Sequence, residues 1–313
     1  MQSVTAAAFG KFILLGEHAV VYGVPALACG IDRGLIAVLE SLEAGPSVLN
    51  LLGESRFATD EDSLGRAFGA LLAAGSGAPR GEVRVTVKGE LPPGMNLGFS
   101  AAAGVAVARA LEARSGGSED AVRNRADAWE QVFHGNPSGI DVAAVMHGGV
   151  VRHRRGEPVR RIAARRALHF CIGSSGAKPA PTKSMVEGVA ALRARSPAVF
   201  QAALDAIEAL CARGETALID GDVVTLGELM TLNHMVLAGW MLSTEPLERL
   251  CESARAAGAL GAKLTGAGGG GAMVALAGAA GDAAASEIAT RIIESWRADG
   301  RSGFEVVVGA RRD

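Results

Sequence analysis

The chain has 313 residues, 49% hydrophobic and 20% charged, with 31 basic and 33 acidic side chains for a formal net charge of -2. That balance suits a soluble globular protein of two domains or one large one, and it excludes a global field that would gather nucleic acid or an anionic membrane. Glycine is the anomaly, at 42 residues of 313, nearly twice the usual share of about 7%.

The N-terminal "MQSVTAAAFGKFILLGEH" has no charged region ahead of its apolar stretch, which Lys11 and Glu17 interrupt, so no signal peptide is expected. Residues 9–15, "FGKFILL", read as a buried strand, with turns at Gly16, Gly23 and Pro25. Cys29, Cys171, Cys211 and Cys251 lie far apart with no CxxC pair, as reduced thiols of a cytoplasmic protein would. Residues 35–41 and 82–90 carry the β-branched and apolar patterns of sheet strands. From Ser100 onward small and apolar residues without proline predict a helix closed by Arg114 and Gly116. A second helix is predicted over 118–135, with Ser118 as its N-cap and Gly135 as its stop.

The basic stretch 151–166 reads as a strand, a turn at 156–158 and a polar crossing into a second domain. No aromatic residue punctuates it, so a solvated edge is the better reading than a nucleic-acid patch. Residues 167–173 look like a strand, 182–258 mostly helical, and 303–312 a closing strand. The uncharged run 264–281 holds seven glycines, which argues against a membrane helix. Strands with intervening helices read as α+β or α/β.

Two loops are glycine-rich. Glycines ahead of a helix let several backbone N–H groups converge on one anion, where the helix dipole adds about half a positive charge. "PPGMNLGFSAAAG" (92–104) meets that description, although a tight turn with small residues for helix packing would look the same. Ser100 stands where a hydroxyl caps a helix, touches phosphate or binds Mg²⁺. The tetraglycine 268–271 follows Lys263, Thr265 and Gly266. A flexible hairpin would accept it, but close approach by a ligand or another loop accounts better for four residues that weaken a strand.

In order and spacing, "GKFILLGEHAVVYGVPALA", "PPGMNLGFSAAAG" and "KLTGAGGGG" resemble the three signature motifs of the GHMP small-molecule kinases. "GEHAVVYG" and "HGNPSGID" (134–141) resemble the forms that the mevalonate kinases of that superfamily carry. The resemblance implies an α+β fold of two domains with the active site between them. Residues 1–165 would be similar to ribosomal protein S5 domain 2 and bind nucleotide and substrate, and 166–313 would be ferredoxin-like. It implies transfer of the γ-phosphoryl group of ATP, with Mg²⁺, to the primary hydroxyl of mevalonate in isoprenoid biosynthesis. The third motif would pack against the phosphate loop. Neither nucleic acid nor membrane is an implied partner, and the chain would work singly or as a homodimer.

Carried over residue by residue, the resemblance makes Asp141 the catalytic aspartate and Lys11 the ammonium that supports it, where an isolated reading would give a helix cap and a strand-edge lysine. Pro93, Gly94, Asn96, Leu97, Gly98, Ser100 and Ala101 would cradle the nucleotide phosphates. Ser100 and Glu130 would be the Mg²⁺ ligands. Glu17, His18, Thr182, Gly268 and Gly269 would lie on the substrate side. Asn233 and His234 read as helix packing, and His134 as support for the aspartate loop.

Where the family's second motif reads Gly-Leu-Gly-Ser-Ser, this chain has "NLGFS". Asn96 suits the position if its backbone is left-handed. Phe99 removes a hydroxyl and adds a ring, so altered ATP affinity is expected. The adenine-contacting segment is expected within 48–80 without a recognisable signal. Two other readings stay open: a kinase of this superfamily acting on phosphomevalonate, another hydroxy acid or a sugar, and a catalytically silent relative that binds a small molecule.

Overall fold

The computed structural model describes residues 3–75, 81–279, 281 and 283–309. It divides into two compact units that are not continuous in sequence: 1–10, 32–92 and 98–146 form the first, and 11–31, 93–97 and 147–313 the second. Strands β1 (Val4–Leu15) and β2 (Ala26–Ser41) pair with each other and run through both. The strands expected at 9–15 and 35–41 are the ends of these longer ones.

In the first unit, residues 35–41 of β2 pair antiparallel with β5 (Val83–Gly89). β5 in turn pairs parallel with β3 (Val48–Leu51), which forms an antiparallel ribbon with β4 (Glu54–Phe57). Val83, Val85 and Val87 face inward from β5 while Arg84 and Lys88 face water, the period of a half-buried strand. Three helices, α1 (Ser63–Ala73), α2 (Phe99–Ser115) and α3 (Glu119–His134), pack on one another beside this sheet, and α4 (Ile140–His147) follows.

α2 is buried almost all round, from Ala101 to Glu112, which accounts for its small residues and lack of a polar face. α3 starts and stops where expected: Ser118 Oγ accepts the Ala121 N–H at 3.2 Å, and Gly135 closes it at φ 67°. A buried ion pair of Arg125 with Glu112 links α3 to α2, and Arg125 Nη1 also donates to the Leu71 and Leu72 carbonyls at 2.7 and 2.8 Å. These are carbonyls at the end of α1 that the helix itself leaves unbonded.

In the second unit, residues 26–29 of β2 pair with β6 (Val150–His153), and β6 with β7 (Arg160–Ile162). A separate four-stranded sheet follows: β8 (Leu168–Ser174), β9 (Gly261–Leu264), β10 (Ala272–Ala279) and β11 (Gly303–Val308). Its order is β11-β8-β10-β9 with every pair antiparallel, the ferredoxin-like arrangement. Four helices lie between β8 and β9: α5 (Thr182–Arg195), α6 (Pro197–Asp220), α7 (Val223–Gly239) and α8 (Glu245–Ala256). α9 (Ala283–Ala298) joins β10 to β11. All eight residues of β10 are buried, as expected for a central strand covered on both faces.

Candidate active site

The first glycine-rich loop alternates backbone handedness. Gly94, Asn96 and Gly98 have φ of 75, 57 and 74°, whereas their neighbours Met95 and Leu97 do not take positive values. Such alternation turns successive N–H groups toward one side, the pattern of an anion nest. Asn96 tolerates the left-handed conformation because its short polar side chain relieves part of the steric cost, so the substitution for glycine fits. Gly98 is the N-cap of α2, and Ala101 is buried in that helix's first turn.

Within the second unit this loop is fastened to β1. The Lys11 N–H donates to the Leu97 carbonyl at 2.9 Å, and Lys11 Nζ to the Asn96 carbonyl at 3.4 Å. Lys11 is only 2% exposed, so it is no strand-edge surface lysine. The Asn96 side-chain nitrogen is buried and has no hydrogen-bond partner among the described residues, leaving two donors for an oxygen-rich ligand.

The tetraglycine connects β9 to β10, so it is a hairpin, but a tightly packed one. Gly268, Gly269, Gly270 and Gly271 all have positive φ. A Cβ on Gly268 would collide with the Leu242 carbonyl, on Gly269 with Met185 and Ala180, and on Gly270 would lie 3.2 Å from Pro179 Cα. On Gly271 it would lie 2.7 Å from Asn96 Nδ2, and on Gly266 2.7 Å from Asn96 Cβ. The third motif therefore packs against the phosphate loop, and at each of these glycines neighbouring backbone or side-chain atoms occupy the space a Cβ would need.

The first motif is tied to the third by side chains. Thr265 Oγ1 accepts from the Ile13 N–H at 2.9 Å and donates to the Ile13 carbonyl at 3.0 Å, taking the place of a strand neighbour. Glu17 is completely buried, its Oε1 bonded to Lys263 Nζ and its Oε2 accepting from Asn233 Nδ2 at 3.2 Å. Asn233 Oδ1 also accepts from the Gly16 N–H at 3.3 Å. Burial pushes the Glu17 carboxyl up and the Lys263 ammonium down, each opposed by the attraction of the other.

His18 Nε2 donates to the Ala267 carbonyl at 2.9 Å, which fixes the proton on Nε2 and leaves Nδ1 as the acceptor. Burial holds this imidazole below its ordinary value. His234 Nδ1 accepts from the Leu264 N–H at 3.2 Å. Asn233 and His234 are thus members of a polar network rather than helix packing alone. The sequence pointed neither to that pairing nor to a role for Lys263; the available sign was a lysine inside the four-residue buried strand "GAKL". Thr182 is exposed at the first position of α5, after Pro181.

The first unit carries the remaining candidates. Ser100, the second residue of α2, donates its hydroxyl to Glu130 Oε1 at 2.5 Å and accepts from Trp129 Nε1 at 3.1 Å. Glu130 is 2% exposed, and its Oε2 stands 3.4 Å from His134 Nε2 one helical turn on. His134 therefore faces Glu130. Asp141 is half-buried in the first turn of α4, after Gly139 at φ 83°.

Ser100 and Glu130 present two hard oxygen donors side by side. Among the described residues no group of three or more His, Cys, Asp or Glu gathers to hold a metal ion. A sparse oxygen set of this kind fits Mg²⁺, which takes one or two protein groups and completes its shell with phosphates and water.

Two family models match the chain: GHMP kinases N terminal domain over residues 63–149 and GHMP kinases C terminal over residues 206–298. A mevalonate kinase of Pyrococcus abyssi is 32% identical over 302 residues, covering 88% of this chain and 88% of that protein. A mevalonate kinase of Methanothermobacter thermautotrophicus is 32% identical over 298 residues, covering 94% and 95%. The crystal structure of L. major mevalonate kinase in complex with R-mevalonate superposes with a TM-score of 0.83 at 28% identity, covering 97% of this chain and 95% of that one.

Proposed function

The chain belongs to the GHMP kinases, and from its likeness to the mevalonate kinases among them we propose that it transfers the γ-phosphoryl group of ATP to the primary hydroxyl of mevalonate. The observation that carries this reading is the near full-length likeness to those enzymes, and the motif residues Lys11, Ser100, Glu130 and Asp141 are present to serve it. In the reaction the hydroxyl oxygen bonds to the γ-phosphorus, the bond from that phosphorus to the β-bridging oxygen breaks, and ADP leaves. The hydroxyl proton goes to Asp141. Phosphoryl transfer asks the protein chiefly for positioning and charge neutralisation.

Each role falls on a side chain already described. The alternating loop 94–98 and the start of α2 hold the nucleotide phosphates through backbone N–H groups, with the two unsatisfied donors of Asn96 as a further contact. Lys11 supplies a positive charge to the transferring group. Ser100 and Glu130 would hold Mg²⁺, which when bound neutralises phosphate charge. His18, with Nδ1 as acceptor, and Thr182 serve the acceptor side, and Glu17 fixes the loop that carries His18. Gly268 and Gly269 line that side as backbone.

The N-terminal family match ends at residue 149 and the C-terminal match begins at 206, an interval that accommodates the boundary near 165 proposed from the sequence. A cytoplasmic location fits four free, buried cysteines, and among the described residues no helix is long and apolar enough to cross a membrane. The deciding experiment is a coupled ADP-release assay with mevalonate, phosphomevalonate, other hydroxy acids and sugars as acceptors. Release with mevalonate alone is the expected result. Preference for another acceptor reassigns the substrate, and binding without turnover of any acceptor removes the kinase reading.

A further inference from the structure

We infer that Trp129 is a positioning residue for this reaction, holding the Ser100 hydroxyl in the orientation that makes Ser100 and Glu130 a ready-made oxygen pair for the divalent cation. The inference rests on the Mg²⁺ role proposed for those two residues. A serine hydroxyl has one proton and two lone pairs. Here the proton goes to Glu130 Oε1 at 2.5 Å, and one lone pair receives the Trp129 indole N–H at 3.1 Å. The other lone pair is the one that can face a cation. Near a helix N-terminus a serine hydroxyl otherwise turns to nearby backbone groups. Two partners of opposite hydrogen-bonding sense, on adjacent residues of α3, remove that freedom.

The fold makes room for this arrangement. Trp129 is 1% exposed. Gly104 lies one turn beyond Ser100 on α2, and a Cβ there would come 2.8 Å from Trp129 Cδ1. Glycine inside a helix is less favourable than alanine, so seating the indole offsets that penalty. Trp129 also packs against Phe133 in a tilted arrangement, with ring centroids 5.5 Å apart and planes 59° from parallel. The indole is thus fixed by packing, and its N–H is directed at the serine by the same packing.

The test has a metal-free arm and a metal arm. In enzyme labelled with ¹⁵N-tryptophan and free of metal, Ser100→Ala should move the Trp129 indole proton signal upfield; an unmoved signal overturns the inference. Binding of Mn²⁺ with a non-hydrolysable ATP analogue is then measured by electron paramagnetic resonance. Trp129→Phe keeps a ring but loses the N–H, and should weaken Mn²⁺ binding about three- to tenfold, the worth of one neutral hydrogen bond. Thermal unfolding of the same variant separates this from a general loss of stability. Wild-type affinity in Trp129→Phe, with weakened Ser100→Ala and Glu130→Gln, overturns the inference and leaves the metal role standing. Wild-type affinity in Ser100→Ala and Glu130→Gln removes the metal role, and the inference with it. Should Trp129→Phe fail to fold, benzothienylalanine at position 129 deletes the N–H at nearly constant ring volume and is held to the same outcomes.

Discussion

Asp141 sits half-buried in the first turn of α4. In the proton-accepting role proposed for it, it should be worth about 10²–10⁴ in rate. Asp141→Asn should therefore lower kcat by that factor with little change in the KM for ATP, as read by steady-state kinetics on protein of native circular dichroism. Near-wild-type kcat would exclude the role. The histidines give a second expectation, of stability rather than rate. Burial lowers the values of both His18 and His234, the latter further depressed by Lys263 and Arg255 and opposed by Glu248. Their unfolded value is about 6.5, so below that pH the unfolded chain takes up protons that the folded one refuses. Stability is present in full above pH 6.5 and should fall as pH drops through the lower folded values. Thermal midpoints measured from pH 7.5 down to 5.0 should decline, and less steeply in His18→Gln. Asp141 and Lys11 stand out in the sequence as candidates because they lie inside ordered motifs. The pairing of Glu17 with Lys263, 246 positions apart, was not, since no local pattern encodes which distant strand will lie alongside.

At the level of elements, punctuation was easiest to read. Ser118, Gly135 and Gly116 mark helix ends because capping is a local matter of one side chain or one left-handed residue. Asn96 follows the same logic. The lengths of β1 and β2 were harder, because glycines at 10, 30 and 34 break the apparent pattern although pairing continues past them. At Gly30 and Gly34 the reason is close backbone approach: a Cβ would come within 2.8 Å of Gly148 Cα at the first and would collide with the Ala8 carbonyl at the second. The β9–β10 hairpin gives two tests. Gly271→Ala must hold a φ near 81° and displace Asn96. It should cost about 1–2 kcal/mol from backbone strain alone and raise the KM for ATP through the phosphate loop. Urea unfolding and kinetics read the two effects separately, and an unchanged KM would show that Asn96 does not transmit the shift. Lys263→Met strands a buried carboxylate, for which about 3–5 kcal/mol is expected. Adding Glu17→Gln should recover part of that loss, and a double variant as unstable as the sum of the singles would deny the coupling.

For the whole molecule, the path of the chain matters more than its order. The second unit takes residues 11–31 and 93–97 from the N-terminal half, and most of 11–31 is buried. Phe12 meets Phe170 edge-on with centroids 5.0 Å apart, and Leu15 fills the space beside Gly214 on α6, where a Cβ would lie too close to its methyl. Unit membership of this kind is invisible to composition, because it depends on tertiary pairing and not on any linker. A fragment of residues 166–313 would keep all four strands β8–β11 yet lack the segment that covers Phe170. It would expose that apolar surface and leave Lys263 without Glu17, a buried charge with its partner removed. Expressed alone, it should show poor chemical-shift dispersion and a broad, non-cooperative melt. Co-expression with residues 1–165 should restore a sharp transition, since the missing segment is then supplied in trans. A cooperative melt from 166–313 alone would mean that residues 11–31 contribute little to the second unit, and that the sequence boundary near 165 is also a boundary of folding.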